Sequence, residues 1–323
     1  MIVSRTPVRI SFAGGGTDIE AYYKDSVGAC LSTTIDKYIY ITVNPKFDDN
    51  IRVAYSRVEY ADNSSGIKHD LIRNALEAYG IESGIEITSV SDIPSEGTGL
   101  GSSSAYTVGL LTALSAYSDK FYSREGLAET ACTIEINRCD QPVGKQDQYA
   151  AAFGGLNLYE FSNKGVSVSL LRLPNGVLEA FNDNLMLFYT GVVRKASPIL
   201  KKQVSNIGSD PEVRESMDKM VGLAYDMAVS LELGNIEDVG SIMDKAWLLK
   251  RDLASGISNR KIDGWYTQAK AAGATGGKVL GAGGGGFMLF SVPKDKQDQV
   301  EQSLELKRVP FEFEGFGSSL LFT

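Results

Sequence analysis

The chain has 323 residues, 43% hydrophobic and 22% charged, a globular balance that excludes a disordered polypeptide and supplies ample material for a core. Asp and Glu total 40 against 32 Lys and Arg, a net charge of −8. That excludes a duplex nucleic-acid sheath, which needs a basic face, but not a small anionic ligand held by a local positive field.

At about 150 residues per domain, the length suits two domains or one large domain with lobes. Cys30, Cys132 and Cys139 form no C-x-x-C pair and read as free thiols of a reducing cytoplasm. His69 is the single histidine, so a Ser–His–Asp triad or a His-rich zinc site has little to draw on. The opening MIVSRTPVRISFAGGG carries charges where a signal peptide has its apolar core. The most apolar helical stretch, 105–117, falls short of the ~20 residues that span a bilayer. A soluble, cytoplasmic protein is expected.

In chain order, residues 3–13 and 29–43 are rich in β-branched side chains and predict strands. Leu71, Ile72, Ala75, Leu76 and Tyr79 predict a helix over 69–79. Residues 84–88 alternate as a strand. The text from 102 to 118 is apolar nearly all round, which predicts a buried central helix. A helix over 123–137 follows, with Ser123 as its N-cap. Strands are expected at 156–161, 166–171 and 185–189. Beyond Gly191 the character changes to helices at 195–207, 211–233, 236–253 and 259–272. Strands at 278–280, 287–292 and 309–313 then surround a helix at 295–306. The expected fold class is α+β and two-lobed: an N-terminal α/β lobe with a mixed sheet over 1–185, and a helix-rich α+β lobe over 186–323.

Glycine is abundant, 34 residues, and clustered at 14–16, 97–101 and 281–286. Three knots beside polar residues suggest backbone walls around a phosphorylated ligand. Residues 281–286 satisfy G-x-G-x-x-G, but FMLFSV continues as a strand where a dinucleotide fold needs a helix. No G-x-x-x-x-G-K-[ST] string exists, since Gly277-Lys278 precedes Val279. The segment PSEGTGLGSSSA (94–105) instead lies between a strand and the buried helix. Glycines and three hydroxyls at a helix N-terminus form an anion site from free N–H groups and the helix dipole; a glycine turn with a serine cap is the plainer alternative.

This segment resembles the phosphate-binding motif of the GHMP kinases. PVRISFAGGGTD (7–18) resembles their N-terminal motif and KVLGAGGGGF (278–287) their C-terminal glycine motif, all in order across nearly the whole chain. The AGGGTD ending and PVGKQDQY (142–149) are most similar to the branch that phosphorylates the anomeric hydroxyl of a heptose 7-phosphate for nucleotide-activated heptose synthesis. The resemblance implies ATP and Mg²⁺ as cofactors, with Gly97, Gly99, Leu100, Gly101, Ser102, Ser103 and Ser104 cradling phosphates. It implies Asp147 as catalytic base and Arg9 as the arginine approaching the reacting oxygen. By residue type alone Asp147 could equally serve a helix N-terminus. Lys145, two residues away, offers a cation beside it. Glu135 follows Leu127, Ala128 and Ala131 on the inward helical face, where it needs either an arginine or a metal. The resemblance selects Glu135 with Ser103 as the magnesium pair, with Ser104 leaving the register open by one. The expected acceptor set is Gly15, Gly16, Thr17, Asp18, Lys145, Arg194, Gly283 and Gly284. Lys145, the Arg194-Lys195 pair and Lys278 are the cations expected near an acceptor phosphate. Expected partners are ATP and a small sugar phosphate, with a homodimer left open and neither nucleic acid nor membrane. A kinase for a neutral sugar, or a silent ATP- and sugar-binding sensor, are the alternatives; retention of Asp147 and Glu135 argues against silence.

Overall fold

The computed structural model describes residues 1–94, 97–194 and 196–323. Its strands are β1 (Ile2–Ala13), β2 (Gly28–Pro45), β3 (Ile51–Ala54), β4 (Val58–Ala61), β5 (Ile85–Ser91), β6 (Asn157–Ser162), β7 (Gly165–Leu170), β8 (Leu185–Tyr189), β9 (Gly276–Val279), β10 (Phe287–Ser291), β11 (Lys307–Arg308), β12 (Phe313–Glu314) and β13 (Ser319–Phe322). The helices are α1 (Glu20–Tyr23), α2 (Asp70–Tyr79), α3 (Ser102–Tyr117), α4 (Arg124–Cys132), α5 (Gln146–Phe153), α6 (Val177–Asp183), α7 (Ser197–Ser209), α8 (Pro211–Glu232), α9 (Glu237–Asp252), α10 (Arg260–Ala271) and α11 (Gln297–Ser303).

Long patterned segments match expectation within two or three residues, whereas the strand expected at 309–313 is replaced by two short strands at either end of that stretch, β11 and β12. The hairpin β3–β4 was not foreseen: four-residue strands are too short for periodicity to register. Ser123 caps α4 by accepting from Gly126 N at 3.1 Å, yet the helix expected to run to 137 is regular only to Cys132. It then widens into a π turn over Thr133–Arg138, the kind of bulge that often marks a functional position. The helix expected over 295–306 is a 3₁₀ turn, Lys294–Lys296, followed by α11. Lys195, expected to open α7, lies outside the described residues, as do Ser95 and Glu96 of the second glycine segment.

One sheet runs in the order β13-β1-β2-β5-β3-β4, with β6 (carrying β7) and β12 also on β2. The β3–β5 pair is parallel and the others antiparallel. The 18-residue β2 can serve four partners because of its length. The second sheet, β11-β8-β10-β9, is antiparallel. The division expected at 185/186 is not a clean cut, because β12 and β13 return to pair with β2 and β1.

Helix α3 is packed on β1 and β2, and every residue from Ser104 to Leu114 is buried except Tyr106. Gly109 permits that closeness: a Cβ there would stand 2.6 Å from Thr6 Oγ1, and its carbonyl accepts from Ser4 Oγ at 2.8 Å. The buried aliphatic faces of β1, β2 and β5 close one core with α2 and α3. A second forms around Phe188, Met217, Trp247 and Phe290. Burying Trp247 or Phe290 removes one of the larger apolar surfaces from water, about 3–5 kcal/mol if cut to alanine. These two cores hold the facing walls of one cleft.

Candidate active site

A cavity of about 970 Å³ opens where the N-terminus of α3, the start of α5, the end of α9 and the first glycine knot meet. Gly97, Gly99 and Gly101 all have positive φ, from 70° to 77°. A side chain on Gly99 would overlap Leu280 O, and one on Gly281 would stand 2.5 Å from Gly99 Cα. The second and third glycine knots are thus pressed backbone to backbone, joined by Phe287 N donating to Thr98 O at 3.1 Å. Gly97, Gly99, Gly101, Ser102, Ser103 and Ser104 line the cavity at the start of α3, where free N–H groups favour an anion. Leu100 does not line it. Its side chain is buried, and its carbonyl accepts from Arg9 N at 3.0 Å.

Arg9, buried on β1, reaches across to α5. Its Nε and Nη2 donate to Asp147 Oδ1 at 2.8 and 2.6 Å, and its Nη1 to Gly99 O at 2.7 Å. Gln146 Nε2 also donates to Oδ1, at 3.2 Å. All three donors meet one oxygen, which leaves Oδ2 without a hydrogen-bond partner among the described residues. The cation beside Asp147 is therefore Arg9. Lys145, expected in that role and in the acceptor set, turns away to Glu129 with both N–O distances at 3.1 Å. It does not line the cavity.

Asp18 accepts from Gly16 N at 2.9 Å and Gln146 N at 3.1 Å. Burial, then the nearby Asp147 charge, raises its pKa. Gly144 has to be glycine, since a Cβ would overlap Asp18 Oδ2. Asp18 and Gly16 line the cavity. Thr17 does not: its hydroxyl donates to Gly14 O at 2.8 Å and accepts from Ala29 N at 3.0 Å, which fixes the turn. Gly15 packs against Ser11 and Lys250.

Glu135 projects from the π turn and is 1% exposed. Its Oε2 accepts from Ser104 Oγ at 2.9 Å and Gln148 Nε2 at 3.1 Å, while Oε1 is buried with no hydrogen-bond partner among the described residues. Burial raises its pKa to about 7, against the pull of the Thr107 and Ser104 hydroxyls. No arginine or lysine pairs with it among the described residues. The hydroxyl that donates to Glu135 is that of Ser104, because the inward face of α3 falls on 104. Ser103 is exposed toward the cavity.

Three other expectations move. Gly283 and Gly284 do not line the cavity; Gly284 N donates to Ile257 O at 2.6 Å, and a Cβ on Gly284 would stand 2.6 Å from Arg194 Nε. Lys278 is sealed inside, donating to Ser11 O at 2.6 Å and Phe12 O at 3.3 Å. Burial pushes its pKa well down. Arg194 lines the cavity, but beside the phosphate loop: its backbone N would stand 2.8 Å from a Cβ on Gly97. Its Nε and Nη1 have no partner among the described residues, and burial lowers its pKa to about 10.

Sequence reasoning missed two groups. One is an aromatic wall of Tyr55, His69 and Tyr106, with ring centroids 4.7 and 5.6 Å apart, at the α3 side of the cavity. The other is Lys250 with Gln203, buried on α9 and α7. Lys250 falls on the inward stripe with Met243, Ala246 and Trp247, a signal that helical spacing does carry.

Comparison with known proteins accords with this geometry. Residues 67–155 match the N-terminal domain of the GHMP kinases, and residues 227–308 match their C-terminal domain. The chain is 30% identical over 318 residues to a D-glycero-alpha-D-manno-heptose 7-phosphate kinase of Campylobacter jejuni, covering 94% of this chain and 93% of that one. It is 26% identical to an L-fucokinase/L-fucose-1-P guanylyltransferase of Bacteroides fragilis, covering 93% of this chain but 35% of that longer protein. The crystal structure of a D-glycero-D-manno-heptose 1-phosphate kinase from Bacteroides thetaiotaomicron superposes with a TM-score of 0.82 at 26% identity, covering 100% of this chain and 99% of that one. With both family domains matched in order and a relative aligned along nearly its whole length, this chain belongs to the GHMP kinases, ATP-dependent phosphotransferases with an alcohol oxygen as acceptor.

Proposed function

We propose that the protein phosphorylates the anomeric C1 hydroxyl of D-glycero-D-manno-heptose 7-phosphate, yielding the 1,7-bisphosphate. The observation that carries this reading is one continuous cavity with the phosphate loop, the Arg9–Asp147 pair and the unpartnered guanidinium nitrogens of Arg194. Asp147 Oδ2 accepts the hydroxyl proton as that O–H bond breaks. The freed oxygen forms its bond to the γ-phosphorus, and the β–γ bond breaks to release ADP. Arg9 holds Asp147 and lies close to the developing charge. The adenine lies against Tyr55, His69 and Tyr106.

The buried, partnerless Oε1 of Glu135 fits a divalent cation, which needs only one or two carboxylates beside nucleotide phosphates and water. Glu135 would hold Mg²⁺ with a hydroxyl of the Ser103–Ser104 pair; when bound, the metal neutralises charge on the transferred phosphate. Ser104→Ala is expected to raise the magnesium concentration for half-maximal rate more than Ser103→Ala, because Ser104 orients Glu135. Titrating Mg²⁺ at saturating ATP measures this; an equal response would place the metal away from Glu135.

Arg194, expected to hold the acceptor's phosphate, sits instead against Gly97 and Gly284. We assign it to the phosphates of ATP. Arg194→Ala should raise KM for ATP roughly tenfold, the scale of a charge-assisted contact worth about 1.5–3 kcal/mol. A change confined to the acceptor's KM would reverse the assignment.

An ATP-consumption assay across the heptose 7-phosphate, the free heptose, fucose, galactose and mevalonate tests the acceptor. Fastest turnover of the heptose 7-phosphate supports the reading. Faster turnover of fucose would replace it with a neutral-sugar 1-kinase, the second reading suggested by the similarity to the Bacteroides fragilis enzyme.

A further inference from the structure

Three polar side chains converge beyond Asp147, on the face of Gly15 and Gly16. A Cβ on Gly15 would stand 3.1 Å from Lys250 Nζ and 3.3 Å from Ser11 Oγ, and one on Gly16 would overlap Gln203 Nε2. Lys250, Gln203 and Ser11 are 6%, 1% and 4% exposed, and all three line the cavity. Ser11 Oγ and Gln203 Nε2 have no hydrogen-bond partner among the described residues.

Lys250 ends the inward stripe of α9. A lysine in a last turn favours the helix dipole, but it would do so equally well in water. Burying an ammonium without a partner is costly, so a dipole role alone does not account for its position. The surrounding charges are already engaged. Arg9 pairs with Asp147, Lys278 with two carbonyls, and Asp18 with two backbone amides. Lys250 is the cation in this group without a hydrogen bond or ion pair among the described residues. The ammonium offers only donors, and the Gln203 amide presents its unpartnered Nε2 donor, not its oxygen, to Gly16, the chemistry of an anion site.

We infer that Lys250, with Gln203 and Ser11, binds the acceptor's own phosphate and sets the preference for a phosphorylated over a neutral sugar. This rests on the acceptor reading above. Arg194 sits on the opposite, phosphate-loop side, so the two cations serve different phosphates.

The test compares kcat/KM for a heptose 7-phosphate and for the same heptose without phosphate, in wild type, Lys250→Met and Gln203→Leu. Wild type should prefer the phosphorylated sugar at least tenfold. Lys250→Met should bring that ratio to within about twofold of unity while KM for ATP moves less than about twofold. Gln203→Leu, a milder change that answers the question if Lys250→Met unfolds, should lower the ratio by about threefold. Equal losses on both sugars would show that the cluster holds the part they share, and would overturn the inference. Should wild type prefer a neutral acceptor, the acceptor reading falls by itself. The cluster is then judged by calorimetric titration of inorganic phosphate with the nucleotide site filled by a non-hydrolysable ATP analogue. Binding at least tenfold weaker in Lys250→Met supports it; equal binding, or none in wild type, overturns it.

Discussion

Asp147→Asn is expected to lower kcat by roughly 10²–10⁴, the usual worth of a positioned general base. The substitution isolates charge and basicity from geometry. An amide oxygen can still accept from Arg9 Nε and Nη2, which hold Oδ1 at 2.8 and 2.6 Å. The start of α5 and the Arg9 contact to Gly99 O should therefore persist. ATP binding, measured by titration without acceptor, should change less than about threefold. A kcat near that of wild type would remove Asp147 from the mechanism. A small but clear loss would assign most of the rate to Arg9 and the phosphate cradle, because a loose phosphoryl transition state demands little of its base.

Glu135→Gln is the second large effect. Glutamine preserves the shape and one acceptor oxygen for Ser104 and Gln148 but removes the charge that Oε1 presents. The magnesium concentration for half-maximal rate should rise on the order of tenfold or more, the scale of one charged contact. The metal-free protein supplies an independent readout. Burial raises this carboxyl from 4.5 to about 7, so the folded state holds its proton more tightly than the unfolded chain. Between those values the folded state binds more protons, and its stability falls as pH rises. Thermal melts without metal or nucleotide should thus show wild type losing stability from pH 5 to pH 8, with Glu135→Gln flattening that slope. Parallel slopes would show that Glu135 is not the titrating group, and an unchanged magnesium requirement would place the metal elsewhere.

Much of this protein was legible from residues alone. The β-branched runs of β1 and β2, the all-round apolar text of α3 and the helical rows after Gly191 each carry enough periodicity to declare their element. Three glycine knots in order carried the family, because a backbone that approaches phosphate tolerates few alternatives to glycine. What the chain could not declare was short or long-range. The β3–β4 hairpin is too brief to show a period, and the return of β12 and β13 to the first sheet depends on pairing across nearly the whole chain.

Within the site, the residues alone set three glycine knots in order, with a helix opening after the second, and placed Arg9, Asp18, Glu135 and Asp147 in the flanking motifs. Which of these side chains meet is set by packing. That packing gives Arg9 rather than Lys145 to Asp147, puts the Ser104 hydroxyl on Glu135 and Ser103 on the cavity, and turns Lys278 into a buried clamp on β1. It also brought Lys250 and Gln203, 47 positions apart by number, to the face of one glycine knot. The physical reason is that a charge's role depends on the partner and the burial it receives. Both are set by how α3, α5, α7 and α9 pack around a common cleft, at separations that no local pattern encodes.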